Sequence, residues 1–162
     1  MQIRRDDLAS PEVQALLAEH LRDMRSISPP ESVHALDLPG LQRAGVCFWT
    51  AWSGDDLMGC GALQEIAPDH GEIKSMRTVV AHRGQGVAQA VLGHILAEAG
   101  RRGYTRVSLE TGSQAAFEPA RRLYGKFGFR PCPPFAGYRE DPNSVFMTRR
   151  LAPPGGASQP ID

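Results

Sequence analysis

One stretch, residues 76–92 (MRTVVAHRGQGVAQAVL), most constrains what this chain can fold into. Its first part is β-like, a turn with Gly84 and Gly86 follows, and apolar residues such as Val87 and Val91 then recur every four positions. That spacing predicts a helix with one buried face. Glycines let backbone N–H groups approach a ligand closely, and the N-terminus of a helix attracts anions. The stretch therefore predicts a strand, a turn and a helix that together can hold a phosphate.

Two common phosphate-binding glycine motifs do not match this turn. The dinucleotide fingerprint needs a third small residue at position 89, where this chain has Gln89. A P-loop needs Gly-Lys followed by Ser or Thr, and the chain contains no such tripeptide. A glycine-rich turn that serves packing alone remains an alternative interpretation of the stretch.

The hexapeptide 83–88, RGQGVA, resembles the acetyl-CoA signature Arg/Gln-x-x-Gly-x-Gly/Ala of the GNAT N-acetyltransferase superfamily. Further along, 120–129 (ARRLYGKFGF) looks like the Ala-x-x-Leu-Tyr-x-x-x-Gly-Phe block of the same superfamily, and it follows a strand-like run at 105–110. Because the two matches occur in the expected order, the chain is identified as a member of this superfamily, of the stand-alone bacterial type. The resemblance covers residues 45–151.

The composition indicates one compact domain. The chain has 162 residues, of which 41% are hydrophobic, and this is enough to build a substantial core. We expect 1–151 to form a single acetyltransferase domain and 152–162, rich in proline, glycine and serine, to be a disordered tail. Because 18 basic residues balance 18 acidic ones, no overall field favours nucleic acid or an anionic membrane as a partner.

The cysteines indicate whether the chain binds a metal, and the first residues indicate where the protein is located. Cys47, Cys60 and Cys132 have neither C-x-x-C spacing nor an even count, which argues against a disulfide framework and a zinc site. We therefore expect free thiols and no metal. No apolar run approaches the length of a membrane span, and the first residues do not resemble a signal peptide. The expectation is a soluble cytoplasmic protein that is a monomer or a homodimer.

The remaining periodicity predicts a mixed fold. Strand-like runs occur, in chain order, at 2–6, 46–52, 57–66, 72–79, 104–111 and 145–151. Helices are predicted to begin at Ser10, Val87 and Pro119, and a helical turn is predicted at 31–36. The fold class is therefore α+β, and the GNAT resemblance implies a mixed, mostly antiparallel central sheet with splayed strands, flanked by helices.

The second and third predicted strands are joined by residues 53–56 (SGDD), a loop with the chemistry of a hairpin turn. Trp49 and Trp52 are three residues apart and would lie on opposite faces of the sheet. Cys47 and Cys60 are expected to face each other across the hairpin and to stay reduced.

The resemblance implies where acetyl-CoA would bind. GNAT proteins splay two neighbouring strands, here 72–79 and 104–111, and insert the pantetheine arm between them. Backbone groups near the end of the first strand would contact this arm, and the amides of 84–89 would hold the pyrophosphate. Where the family usually has an asparagine beside the pantetheine, this chain has Phe117. The implied cofactor-binding residues are Met76, Arg77, Thr78, Arg83, Gly84, Gln85, Gly86, Val87, Ala88, Gln89, Phe117 and Lys126.

Four basic side chains are candidates for neutralising the remaining phosphate charge. They are Arg83, Arg121, Arg122 and Lys126. A solvated basic helix face explains the last three equally well.

The chemistry of amine acetylation suggests an acid and a base. An amine with a pKa near 10.4 is almost wholly protonated at pH 7, so transfer benefits from a general base. The resemblance places candidate bases at Glu72 and Glu110, and Glu110 is favoured because Lys74, two residues from Glu72, could neutralise that carboxylate. Tyr124 matches the phenol that the family uses as general acid, and backbone N–H groups near Met76 would stabilise the oxyanion. A solvated strand-end glutamate and a packing tyrosine are the structural alternatives.

These inferences predict an N-acetyltransferase with acetyl-CoA as cosubstrate. The acetyl group would move to a primary amine of a small molecule or amino-acid-like acceptor, by direct transfer in a ternary complex. Two alternatives stay open, namely acetylation of protein N-termini or lysines, and a non-catalytic regulator that binds acyl-CoA. The sequence does not identify the acceptor.

Overall fold

The structure, a computed structural model, describes residues 1–152 as one sheet with helices on both of its faces. The strands are β1 Gln2–Arg5, β2 Val46–Ser53, β3 Asp56–Ala67, β4 His70–Thr78, β5 Arg106–Gly112, β6 Arg130–Pro131 and β7 Ser144–Arg150. The helices are α1 Pro11–Ile27, α2 Leu38–Leu41, α3 Val87–Arg101 and α4 Glu118–Lys126. The predicted tail lies outside the described residues except for Ala152.

The seven strands follow the order β1-β2-β3-β4-β5-β7-β6. Neighbouring strands are antiparallel except β4 and β5, which run parallel. A parallel pair needs a crossover, and here the crossover contains α3. The predicted fold class, α+β with a mixed and mostly antiparallel sheet flanked by helices, is confirmed.

Helix α3 packs on one face of the sheet because its apolar residues share one stripe. Val87, Val91, Ile95 and Ala99, which the sequence places at four-residue spacing, are at most 2% exposed. They join one core cluster that also contains Trp49. The opposite face of the sheet is covered by α1, and there Trp52 belongs to a second cluster. The prediction that the two tryptophans lie on opposite faces is confirmed.

The predicted pairing of two cysteines across the β2–β3 hairpin is wrong. Cys47 lies opposite Leu63, and Cys60 lies opposite Thr50. The hairpin closes on the pair Ser53 and Asp56, and a bulge after Ala51 shifts the register further, so the two cysteines are not equidistant from the turn. All three cysteines of the chain are free, as expected.

The segment between α1 and β2 differs from its prediction. In place of a helical turn over 31–36, the chain forms a 3₁₀ turn at Pro30–Ser32 and then the four-residue helix α2. Helix α2 begins after Asp37 because the carboxylate of that residue accepts a hydrogen bond from the Gly40 amide at 2.9 Å.

Strands β4 and β5 separate part of the way along. They pair only at His70 with Arg106, at Gly71 with Val107 and at Glu72 with Ser108, after which both continue unpaired with each other. Strand β4 also has a bulge against β3. Lys74 pairs with Ala62 and Arg77 pairs with Cys60, so three residue steps on β4 match two residue steps on β3. The expected splay between these strands is present, and it positions the candidate site.

Candidate active site

A cleft of about 570 Å³ opens where β4 and β5 diverge. Both strands line it, together with the C-terminal half of α1, the segment that follows α1, and the start of α4. Nine of the predicted site residues contribute to its lining: Glu72, Met76, Arg77, Thr78, Arg83, Ala88, Glu110, Phe117 and Tyr124. The structure therefore brings together residues from both halves of the resembled signature.

The edge of β4 that faces β5 has no strand partner from Ile73 to Thr78. Unpaired N–H and C=O groups along a strand edge can hydrogen-bond an extended ligand. Met76, Arg77 and Thr78 lie on this part of the strand. The Arg77 side chain turns away toward α1, where its guanidinium donates to Glu19 at 2.9 Å and pairs with Asp23.

The turn before α3 suits an anion. Gly84 and Gly86 have φ values of +77° and +79°, the left-handed region that favours glycine. No side chain caps α3, so its first amides have no side-chain acceptor. Because Val87 is 2% exposed and packs in the core, it can offer a ligand only its backbone amide. An anionic group such as a pyrophosphate therefore fits these residues.

Of the four basic residues considered for phosphate charge, only Arg83 lines the cleft. The Arg121 guanidinium donates to the carbonyls of Gly112, at 2.6 Å, and Gln114, at 3.0 Å, so it stabilises the loop before α4. Arg122 pairs with Glu118 on the surface of α4. Lys126, Gln85 and Gln89 do not line the cleft.

Glu110 lies near the end of β5, half-buried beside the cleft. Burial raises the pKa of its carboxyl to about 7 because the charged form loses solvation. The negative charges of Glu72 and Asp141 raise the pKa as well, while the Ser144 hydroxyl and the Lys74 charge oppose the shift. A carboxyl that titrates near neutral pH is suited to accept a proton.

Glu72 has a different environment. Its Oε2 atom accepts hydrogen bonds from the Tyr138 hydroxyl at 2.5 Å and from Lys74 Nζ at 3.3 Å. The predicted pairing with Lys74 is confirmed. Lys74 also donates to the Tyr138 hydroxyl and to the His34 carbonyl, so all of its donors are used. Glu72 is thus already engaged by two donors from within the protein.

Sequence reasoning missed Tyr138. It lies in the loop between β6 and β7, 66 positions from Glu72, and the His34 ring packs edge-on against it at 5.0 Å. A second cavity of about 570 Å³ borders this cluster and shares His34, Glu72 and Lys74 with the cleft. No local motif marks Tyr138, because only the tertiary fold brings its loop to β4.

Tyr124 is buried near the end of α4, with its ring edge-on to Phe129 at 5.8 Å. Burial raises the pKa of its phenol above the ordinary value, and the nearby charge of Glu110 raises it further. The hydroxyl is therefore fully protonated at neutral pH, and Tyr124 is among the residues that line the cleft.

Within residues 1–152, no cluster of three His, Cys, Asp or Glu side chains is placed to hold a metal ion. The helices of that part of the chain are also all too short or too polar to span a bilayer.

Comparison with known proteins defines the class. The acetyltransferase (GNAT) family matches residues 13–129, so the chain belongs to this family and is an acetyl-CoA-dependent N-acyltransferase. It is 59% identical to the uncharacterised N-acetyltransferase YsnE of Bacillus subtilis, over 93% of this chain and 100% of that protein. It is 50% identical to the uncharacterised N-acetyltransferase YedL of Escherichia coli, over 92% and 94% of the two chains.

A solved structure shows the same fold. A GNAT family acetyltransferase from Elizabethkingia anophelis with acetyl-CoA bound superimposes with a TM-score of 0.65 at 17% identity. The match covers 93% of this chain and 97% of that one.

The raised pKa of Glu110 predicts a pH-dependent stability effect. The folded chain holds this proton up to about pH 7, whereas the unfolded chain releases it near its ordinary value of 4.5, so stability falls as pH rises between the two. Glu110→Gln removes the cost of burying the charge. Its melting temperature should exceed that of the wild type at about pH 8, and the excess should vanish at about pH 4. Thermal unfolding followed by circular dichroism measures this, and a pH-independent difference would contradict the assigned shift.

Proposed function

We propose that residues 1–151 form an acetyltransferase domain that moves the acetyl group of acetyl-CoA to a primary amine of a small or amino-acid-like molecule. The observation that carries this proposal is the cleft between the splayed strands, because Glu110 and Tyr124 line it together. One is a carboxyl that titrates near neutral pH, and the other is a phenol that stays protonated. A base and an acid in one cleft suit direct transfer in a ternary complex.

The cofactor would be held by backbone more than by side chains. The free edge of β4 at Met76–Thr78 would bind the pantetheine arm, with Phe117 lining the cleft on the α4 side. The amides from Gly84 to Gln89 would bind the pyrophosphate at the start of α3, with Arg83 supplying charge. Lys126 is exposed and stays a prediction for the outer phosphate.

When bound, acetyl-CoA supplies a thioester that a neutral amine can attack. Glu110 would accept the proton that the amine must lose, either directly or through a water. Tyr124 would donate a proton to the departing sulfur, since this residue lines the same cleft. Glu72, held by Tyr138 and Lys74, would orient the acceptor and remain the second candidate for the base.

The size of the site supports a small acceptor over a protein. Pockets for small molecules measure about 300–1,000 Å³, and the second cavity, which meets the cofactor cleft at Glu72, falls in this range. The second cavity carries four carboxylates, Glu31, Glu72, Glu140 and Asp141, against the two cations Lys74 and Arg139. This balance would attract a positively charged amine.

An acceptor panel tests the proposal. Release of free CoA would be followed with a thiol reagent over small amines, amino acids and peptides, and the products would be identified by mass spectrometry. We expect N-acetylation of small amines with one CoA released for each product. Turnover confined to peptides would support protein acetylation, and thioester consumption without an N-acetyl product would contradict the proposal.

We further propose a cytoplasmic location, which the free thiols of Cys47, Cys60 and Cys132 support because disulfides persist mainly in oxidising compartments.

Gly86→Val should weaken acetyl-CoA binding by about tenfold or more while the fold is kept. A Cβ at Gly86 would meet only Gln89 Oε1, at 3.9 Å, so the change acts through the backbone. Valine disfavours the φ of +79°, and the amides of the turn would shift away from the phosphate. Isothermal titration calorimetry measures the affinity.

Gly45→Val is the matched control. Gly45 also has a left-handed backbone, with φ of +88°, and a Cβ there meets nothing within 4 Å. It lies directly before β2 and not in the turn before α3, so this variant should carry similar strain with unchanged affinity. Equal affinity losses in the two variants would refute the phosphate role of the turn before α3.

A further inference from the structure

Ser75 has an unusual backbone for its residue type. It lies in the bulge of β4, and its φ of +56° is in the left-handed region that residues other than glycine rarely adopt. Such conformations persist where the surroundings impose them, and they concentrate at functional sites. The Ser75 carbonyl accepts a hydrogen bond from Cys60 Sγ at 3.3 Å, which ties the backbone of the bulge to β3.

The Ser75 side chain has no such partner. The residue is 7% exposed and lines the cleft, yet its Oγ atom is buried without a hydrogen-bond partner among the described residues. Buried hydroxyls are nearly always hydrogen-bonded, so a buried hydroxyl without a partner requires an explanation, such as a bound ligand. A strained residue that lines the cleft and has a buried, unused hydroxyl points to a ligand.

Ser75 lines the same cleft as Glu110 and Tyr124. It lies on β4, three residues beyond Glu72, which belongs to the last pair with β5 before the two strands diverge. Glu110 lies on β5, on the opposite wall of the gap. A group bound between the walls can therefore meet Ser75 on one side and Glu110 on the other.

We propose that the Ser75 hydroxyl donates a hydrogen bond to the carbonyl oxygen of the acetyl thioester. This inference rests on the proposed function of the cleft and adds a catalytic residue to it. As the amine nitrogen forms the new C–N bond, the C=O electron pair moves onto the oxygen. That pair returns when the C–S bond breaks and the sulfur leaves with its electrons. Ser75 keeps its proton throughout. Its O–H group lowers the activation barrier because the hydrogen bond stabilises the negative charge that develops on the carbonyl oxygen.

The test compares two ligands that differ only in the acetyl group. In Ser75→Ala, calorimetry should show acetyl-CoA binding weakened about fivefold, with the affinity for CoA unchanged, since CoA has no carbonyl for the hydroxyl to meet. With an accepted amine, kcat should fall about 10²-fold, as expected for loss of one donor to an oxyanion. Ser75→Gly removes the same hydroxyl and relieves the left-handed strain, so it should show the same two changes.

A purely structural role predicts another pattern. The affinities for acetyl-CoA and CoA would then change together or not at all. Either of these affinity results would overturn the proposal. The binding comparison needs no acceptor, so a failed acceptor panel would contradict the proposed function without deciding the role of Ser75.

Discussion

Tyr124→Phe should lower kcat by about 10²- to 10⁴-fold and leave the dissociation constant of acetyl-CoA within a few-fold. The change removes only the hydroxyl, while the buried ring keeps its contact with Phe129. Burial raises the pKa of this phenol, so the hydroxyl keeps its proton near neutral pH and can meet the leaving sulfur as a donor. Rapid-quench kinetics would measure kcat, and calorimetry would measure binding.

Tyr104→Phe is the matched control for this experiment. Tyr104 is 1% exposed and its hydroxyl donates to Glu65 Oε1 at 2.9 Å, but it does not line the cleft. Its variant should lose some stability and keep kcat. If Tyr124→Phe also kept full kcat, Tyr124 would have a packing role only.

Glu110→Gln should abolish the acidic limb of the profile of kcat/KM against pH. In the wild type, kcat/KM should rise with pH up to about 7, because the carboxyl must lose its own proton before it can accept one from the amine. A neutral amide cannot do this at any pH, so the variant should be about 10²-fold slower on the plateau. Initial rates over a range of pH, at low amine concentration, give the profile.

Glu72→Gln provides the comparison. Because Tyr138 and Lys74 already engage Glu72, its variant should mainly raise KM for the amine. Reversed behaviour of the two variants would assign the base to Glu72. An unaltered profile in both would mean that the amine enters neutral or loses its proton to water.

The sequence predicts this fold well where local periodicity decides the structure. Val87, Val91 and Ile95 repeat at helical spacing, and the structure buries all three against the sheet. The pairing of Glu72 with Lys74 was likewise predictable, since residues two apart on a strand share a face.

Sequence periodicity was not sufficient where strand register or tertiary contacts set the geometry. The register of Cys47 and Cys60 depends on the closing pair of the hairpin and on a bulge, and neither is visible in the spacing of the cysteines. Arg121 reads as a surface cation, yet it binds carbonyls of the preceding loop. The contact of Tyr138 with Glu72 exists only after the whole sheet has formed.

In the proposed reaction, the acetyl group passes directly from the thioester to the amine within the cleft, without an acetylated protein as intermediate. No cysteine is among the residues that line the cleft, so the described part of the chain offers no thiol nucleophile there. Initial rates with both substrates varied, combined with intact-protein mass spectrometry after incubation with acetyl-CoA alone, test this directly. Direct transfer should give intersecting double-reciprocal lines and an unmodified protein. Parallel lines together with an acetylated protein that passes its label to the amine would contradict it.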